Sequence, residues 1–265
     1  MWRDFPRRIR GVDLADAQLR EFGERGYLVI AGVVDERFLA EADAEIDRLV
    51  ETEPPPANTV GKHFWFLPPE QLPAAHSALT ESGALAVAEL LTAPEPLELI
   101  LDHIQVALNI PPNAHRPGGP HIDGHVRQHA SQTAPDSFTL LAGIFLSDET
   151  RPDSGALWVW PGSHLAHELL FRERGTDALM ETGGHVTMLP SPPPLTAPEP
   201  AVGRRGDLLL AHSLLGHNSG PNLTTKTRRM VYYRLGCPEH RSRWAATFLD
   251  TLTEYYPVRR AMMRR

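Results

Sequence analysis

The sequence predicts a mainly β protein with flanking helices, of the sandwich or barrel type. From residue 97 onwards, short apolar runs follow one another, and Gly, Pro, Asn or Asp bounds each of them. The 25 prolines among 265 residues also favour a loop-rich β architecture, because proline is confined to turns and strand edges. The predicted core strands cover residues 97–110, 138–146, 156–161, 185–189, 207–212 and 229–236.

The first third of the chain is predicted to be largely helical. Residues 35–51 give the clearest helix, because Asp35 can cap it and apolar side chains recur at helical spacing. Shorter helices are expected over 13–23 and 76–93, with a buried strand over 26–34. We therefore expect one domain: a helical layer with one strand (1–96), a β core (97–240) and a C-terminal segment (241–265).

The composition narrows the function class. A formal charge of −7 disfavours nucleic-acid binding, and no apolar run is long enough to cross a membrane. Cys237 is the only cysteine, which excludes an intrachain disulfide and a thiolate metal site. We expect a cytoplasmic protein whose partner is a small-molecule substrate; the sequence specifies no oligomeric state.

The segment GGPHIDGHV, residues 118–126, carries two histidines and an aspartate at alternate positions. In an extended chain, side chains two residues apart point the same way, so His121 and Asp123 share a face. An imidazole beside a carboxylate is two-thirds of the facial triad that binds non-haem Fe(II) and leaves positions open. The segment therefore predicts part of a metal site.

Two histidines further along the chain are candidates for the third ligand, His212 and His217. A turn, NSGPN, follows His217, and Arg228 comes eleven residues after it at the start of an apolar strand. A hairpin there can return Arg228, or its neighbour Arg229, to the metal site, where a guanidinium can bind a carboxylate through two hydrogen bonds. This spacing favours His217 and Arg228 over His212 and Arg229.

Four segments resemble the phytanoyl-CoA dioxygenase family of Fe(II)- and 2-oxoglutarate-dependent oxygenases. HID (121–123) resembles its ligand pair, and DSGALWVWPGSH (153–164) resembles its NGxLxxxPGSH segment. In GDLLLAHSLLGHNSGPNLTTKTRR (206–229), the metal histidine is followed by Ser, Asn and Arg at the family's spacing. FGERGYLVIAGVVDERFLAEADAEIDRL (22–49) resembles its first helix, strand and helix. The likeness extends over residues 15–240.

This resemblance implies a double-stranded β-helix, the cupin-like jelly roll. It implies Fe(II), 2-oxoglutarate and O2 as cofactors, and assigns the metal ligands, which are also the catalytic residues, as His121, Asp123 and His217. Arg228 would bind the distal carboxylate of 2-oxoglutarate, with help from Ser219. Strand alternation adds Gln105 and Asn109 as further candidate contacts.

The activity implied is hydroxylation or desaturation of an unactivated C–H bond in a small, apolar metabolite, with 2-oxoglutarate converted to succinate and CO2. Members often modify secondary metabolites, and the presence of Asp123 argues against halogenation. Candidate substrate contacts are Phe64, Trp65 and His125. Two alternatives remain: a cupin-like isomerase or hydrolase that needs no Arg228, and a catalytically silent binding protein of the same fold.

Overall fold

The structure is a computed structural model that describes residues 13–123, 137–176, 178 and 191–264. Its helices are α1 (Asp16–Arg25), α2 (Glu36–Thr52), α3 (Pro73–Thr80), α4 (Ala84–Glu89), α5 (Ser163–Arg174), α6 (His240–Leu249) and α7 (Tyr256–Met263). Its strands are β1 (Tyr27–Ile30), β2 (Gly61–Leu67), β3 (Glu98–Ile110), β4 (Leu140–Phe145), β5 (Leu157–Val159), β6 (Glu199–Ala201), β7 (Leu208–His212), β8 (His217–Ser219) and β9 (Arg228–Gly236).

The strands form two antiparallel sheets. The large sheet has six strands in the order β1-β7-β4-β9-β3-β2, and the small sheet has three in the order β6-β5-β8. Non-consecutive strands are neighbours in both sheets, as expected for a jelly roll rather than a meander. The predicted fold class, mainly β with flanking helices and a jelly-roll core, is confirmed.

Alternation along the strands gives the large sheet two different faces. Along β9, Val231, Tyr233 and Leu235 pack into the main apolar core under the helices. Met230 and Tyr232 point the other way, into a second apolar cluster shared with the small sheet. We call this second side the site face, because Arg228 and Arg234 fall on it by the same two-residue period.

Helices cover the opposite face of the large sheet. Phe22 of α1 and Phe38 and Ile46 of α2 are buried there, as the apolar spacing of these segments predicts. Tyr233 extends from β9 into this layer, where its hydroxyl donates a 2.5 Å hydrogen bond to the Ala75 carbonyl. Among helices of the described residues, none has the length and apolar character needed to cross a membrane.

Several segments differ from the sequence-based expectation. Residues 61–67 form a strand that pairs with β3, so the first third of the chain supplies two strands to the large sheet. The helix expected over 76–93 is two helices, because Gly83 adopts a left-handed φ of 105° and interrupts it. The sequence suggests that His164 and His167 shape a loop after PGSH, but both lie in helix α5, which begins at Ser163. The strand expected at 185–189 lies outside the described residues.

Candidate metal centre

A cavity lies between the site face of the large sheet and the small sheet. Its volume is about 720 Å³, counting the part that is open to solvent. Both sheets and the HID segment supply its walls, so residues far apart in the chain meet there. Of the residues proposed from the sequence, the cavity is lined by Phe64, Gln105, His121, Asp123, His217, Ser219 and Arg228.

A short backbone pairing brings the HID segment to strand β8. His121 and His217 form an antiparallel bridge, with N–O distances of 3.1 and 3.0 Å between their backbones. Asp123 follows two residues later, so its side chain returns to the same side as that of His121. The fold therefore joins two segments that are nearly a hundred residues apart in the sequence.

The ligand atoms of His121, Asp123 and His217 all lie within 4.8 Å of one another. Asp123 Oδ1 is 3.6 Å from Nε2 of each histidine. The His217 ring donates from Nδ1 to the Leu215 carbonyl at 2.9 Å, which leaves the Nε2 lone pair free for a metal. Because imidazole nitrogens and carboxylate oxygens bind a first-row metal at about 2 Å, this donor set fits one ion.

Asp123 is held as a carboxylate. Burial by itself would raise its pKa, but Arg234 and the two histidines together lower the pKa well below its usual value. Arg234 donates from Nε and Nη2 to Asp123 Oδ2, at 3.1 and 2.5 Å. The ionised form is the one that can bind a metal.

Arg228 lies in the same cavity and is 4% exposed. Its Nε donates to the Gly155 carbonyl at 2.9 Å, and its Nη2 donates to the Tyr232 hydroxyl at 3.3 Å. Gly155 has φ +90°, and a Cβ there would come within 2.9 Å of Arg228 Cβ, so the glycine of the DSG segment permits this close approach. Arg229 points to the helical side, where it pairs with Asp43 and Asp47.

Glu149 is a buried carboxyl group behind Arg228. Its Oε2 is 3.4 Å from Arg228 Nε, but the hydrogen on that nitrogen is directed to Gly155, and neither Glu149 oxygen accepts a hydrogen bond. Burial raises the pKa of Glu149 to about 8, against the opposing influence of Arg228. With a pKa of about 8, Glu149 is mostly protonated at pH 7, so it offsets little of the positive charge of Arg228.

The structure separates the remaining co-substrate candidates. Ser219 lines the cavity from β8, and its hydroxyl accepts a 3.5 Å hydrogen bond from Asn109, the residue that pairs with Arg228 between β3 and β9. Gln105 also lines it, and its Oε1 accepts a 3.0 Å hydrogen bond from Arg234 Nη2. Asn109 is fully buried outside the cavity lining, where its amide donates to the Gly220 carbonyl at 2.8 Å. Asn109 therefore ties β3 to the segment after β8 rather than facing the cavity.

The aromatic strand β2 divides its side chains between two environments. Phe64 and Phe66 are 38% and 42% exposed and line the cavity mouth. Trp65 points to the opposite face and is buried in the main core, so the structure does not bring it to the cavity. His125 lies outside the described residues.

His212, the alternative third ligand, is buried away from the cavity. Its Nε2 donates to the Thr251 carbonyl at 2.9 Å, and its Nδ1 accepts from the Leu214 amide at 3.0 Å. Burial lowers its pKa to about 4, so the ring is neutral. Both ring nitrogens are used in the fold, and neither is free to bind a metal.

The sequence reasoning missed two charged residues near the cavity, Arg234 and Glu149. Extending the alternation that starts at Arg228 would have placed Tyr232 and Arg234 on the site face. No comparable signal marks Glu149, because it follows β4 in an irregular loop and reaches Arg228 only through the fold.

The fold and the site together define a class: jelly-roll proteins with a centre of two histidines and one carboxylate. Within that class, the chain belongs to the phytanoyl-CoA dioxygenase family, whose model matches residues 22–230. This membership makes the protein a non-haem iron and 2-oxoglutarate enzyme. No curated protein matches the chain in sequence at a significant level.

Several solved structures share the fold. HygX from Streptomyces hygroscopicus, with nickel and 2-oxoglutarate bound, is 19% identical with a TM-score of 0.59, over 86% of this chain and 88% of its own. The α-ketoglutarate-dependent epimerase SnoN from nogalamycin biosynthesis is 24% identical with a TM-score of 0.59, over 84% and 80%. The carbocyclase SnoK from the same biosynthesis is 21% identical with a TM-score of 0.57, over 87% and 90%.

Proposed function

We propose that the protein is an Fe(II)- and 2-oxoglutarate-dependent dioxygenase that hydroxylates or desaturates an unactivated C–H bond of a small, apolar molecule. His121, Asp123 and His217 would hold Fe(II), and Arg228 with Ser219 would bind the distal carboxylate of 2-oxoglutarate. O2 is the oxidant, and succinate and CO2 are the co-products.

One observation carries the proposal: three side chains that could hold a metal ion and a buried arginine line the same cavity. A cupin-like isomerase or hydrolase needs the metal ligands alone. A cation in a site with little water attracts an anion strongly, and a guanidinium matches the two oxygens of a carboxylate. The cavity therefore favours a metal enzyme that also uses a dicarboxylate co-substrate.

The residues have separate roles in this reaction. When bound, Fe(II) supplies the redox chemistry that couples O2 reduction to C–H cleavage. Arg228 and the Ser219 hydroxyl orient the co-substrate, and Gln105 is a further candidate donor, because its oxygen is already used by Arg234. In hydroxylation, one oxygen atom of O2 enters the product and the other enters succinate. In desaturation, the atom not taken by succinate leaves as water.

Phe64 and Phe66 support an apolar substrate. Both rings stand on the same side of β2, half-exposed at the cavity mouth, and their centroids are 6.2 Å apart. Exposed aromatic rings beside a metal site offer a large apolar contact area at low entropic cost. We assign them to the substrate, with Phe66 also lying 5.9 Å from the Arg234 guanidinium carbon.

The outcome after C–H cleavage is a separate question from the cofactor requirement. Relatives of this fold carry out epimerisation in SnoN and ring closure in SnoK, both with α-ketoglutarate. Hydroxylation and desaturation are our proposal for this chain, and product analysis must also look for inverted and cyclised products.

The cofactor proposal is tested by mixing the protein with Fe(II) and 2-oxoglutarate without oxygen. We expect a visible iron-to-ketoacid absorption band that disappears in His217→Ala and weakens strongly in Arg228→Ala. Matched controls are His115→Ala, an exposed histidine, and Arg229→Ala on the helical side; both should keep the band.

Two results would contradict the proposal. A wild-type protein without the band does not use 2-oxoglutarate at this site. That result would support the cupin-like enzyme or the silent binding protein instead. A band that survives in both His217→Ala and Arg228→Ala shows that the site assignment is wrong. If the band appears, succinate release stimulated by candidate apolar molecules identifies the substrate.

A further inference from the structure

Arg234 is a buried arginine at the metal end of the cavity that the proposed reaction does not use. Its side chain is 10% exposed and reaches Asp123 from strand β9. On one side, Nε and Nη2 both donate to Asp123 Oδ2; on the other, Nη2 donates to Gln105 Oε1 at 3.0 Å. The rings of Phe66 and Phe138 each lie 5.9 Å from its guanidinium carbon. The guanidinium is therefore fixed on several sides.

The two oxygens of Asp123 have different partners. Oδ1 is the atom that lies 3.6 Å from Nε2 of both His121 and His217. Oδ2 accepts both hydrogen bonds from Arg234 and therefore faces the guanidinium. The terminal torsion of an aspartate is soft, so a carboxylate without such a partner can turn and offer either oxygen, or both.

Arg234 is separate from the co-substrate end of the cavity. It follows Arg228 by six residues on the same face of β9, which corresponds to about 20 Å of extended strand. The hydrogen bonds of Arg228 go to Gly155, Ala107 and Tyr232, so the two guanidinium groups have no partner in common. Arg234 is thus tied to the metal-binding carboxylate and not to the co-substrate site.

We propose that Arg234 is a positioning residue for the metal centre, which holds Asp123 so that Oδ1 alone is presented to the ion. This inference rests on the proposed metal site. Groups that hydrogen-bond to a metal ligand orient it, and their loss typically lowers metal affinity 10- to 100-fold. Gln105 extends the arrangement by one further hydrogen bond, to Arg234 itself.

A competing electrostatic effect has the opposite sign. Arg234 is a cation, and a cation close to the site repels a divalent metal ion. If Arg234 were only a counter-charge for Asp123 in the metal-free protein, its removal would leave metal affinity unchanged or improve it. If it positions the carboxylate, its removal weakens binding. The direction of the change therefore separates the two roles.

The test uses Mn(II), which is stable in air, and measures its dissociation constant by electron paramagnetic resonance of the free ion. We expect Arg234→Met to raise the dissociation constant 10- to 100-fold. Arg234→Lys keeps the charge but lacks the paired N–H donors, and should raise the constant about fivefold or more. Arg229→Met, the neighbouring strand arginine on the helical side, should stay within twofold of wild type.

A second readout is the absorption spectrum of bound Co(II), which reports the geometry of the ligands. It should change in both Arg234 variants and not in Arg229→Met. Unchanged or tighter Mn(II) binding in Arg234→Lys and Arg234→Met overturns the inference. If circular dichroism shows that Arg234→Met does not fold, the Mn(II) affinity of Arg234→Lys alone tests the inference. Failure of the wild type to bind Mn(II) instead contradicts the proposed function.

Discussion

The two ends of strand β9 each place an arginine on the site face, next to a buried carboxyl group. At the metal end, Arg234 faces Asp123; at the other end, Arg228 faces Glu149. Both pairs join a guanidinium to a carboxyl group, and their N–O distances are 2.5 and 3.4 Å. Their charge states nevertheless differ, because the pKa of Asp123 is lowered and that of Glu149 is raised to about 8.

The number of charged partners and the hydrogen bonds both differ: Arg234, His217 and His121 together lower the pKa of Asp123, whereas Arg228 alone opposes the effect of burial on Glu149. Asp123 accepts two hydrogen bonds from Arg234, whereas Glu149 accepts none from Arg228, whose Nε hydrogen goes to Gly155. In a buried site, proximity to a cation does not keep a carboxyl group ionised unless donors also point at its oxygens. In the function that we propose, the protein neutralises Arg234 with its own carboxylate and keeps the charge of Arg228 available for the co-substrate.

The largest effect expected from this difference is on the stability of the metal-free protein. Asp123→Asn removes a charge from an ion pair and leaves the Arg234 cation buried and unpaired, which should cost about 3 kcal/mol or more. Glu149→Gln replaces one uncharged group with another in the folded state and removes the need to protonate the carboxyl on folding, so it should cause no loss of stability at pH 7. Urea denaturation of both variants in the presence of a chelator measures the two free energies of unfolding.

Each variant controls for the other, because both exchange a buried carboxyl for an amide of the same shape beside an arginine. Equal losses of stability in the two variants would contradict the different charge states that we assign. A larger loss in Glu149→Gln than in Asp123→Asn would mean that Glu149, rather than Asp123, is the charged group.

The two ends of the site differed in how readily the sequence revealed them. HID and the His217–Arg228 spacing are local patterns whose chemistry is fixed by residue type, so metal ligands and a carboxylate-binding arginine could be proposed directly. Arg234 follows from strand alternation once β9 is accepted. Glu149 could not be proposed, because its burial and its distance from Arg228 are set by how the loop after β4 packs.

The fold was predictable for a similar reason. Short apolar runs bounded by turn residues indicated most core strands, and apolar periodicity indicated α2 within one residue at each end. Strand β2 was missed because three aromatic residues in a row, Phe64 to Phe66, hide the alternation that the sheet imposes. Only the fold shows that Phe64 and Phe66 face the cavity while Trp65 enters the core.

The second prediction concerns the charge that Glu149 leaves uncompensated. Arg228→Met should raise the dissociation constant of 2-oxoglutarate about 100-fold, because loss of a buried charge-assisted pair typically costs about 2–5 kcal/mol. Calorimetry without oxygen, with saturating Mn(II), measures it. Mn(II) affinity without co-substrate should stay near wild type, in contrast to Arg234→Met.

Arg229→Met is the matched control, because Arg229 pairs with Asp43 and Asp47 on the helical side. It should leave the affinity for 2-oxoglutarate within twofold of wild type. Similar losses in the two variants would mean that the net charge of the strand, rather than the cavity arginine, determines binding.

The smallest predicted effect is the pH dependence of 2-oxoglutarate binding. The folded pKa of Glu149, about 8, exceeds its ordinary value of 4.5, so the group ionises only as the pH rises through 8 and then competes for Arg228. We expect affinity to fall about tenfold between pH 7 and 9 in the wild type and to stay flat in Glu149→Gln. Protonated Glu149 also contributes to the stability of the fold. This contribution is complete below pH 4.5 and is lost as the pH rises through 8, so wild-type stability should decline relative to Glu149→Gln between pH 4.5 and 8. Parallel pH profiles in the two proteins would show that Glu149 is already ionised at pH 7, and the contrast with Asp123 would disappear.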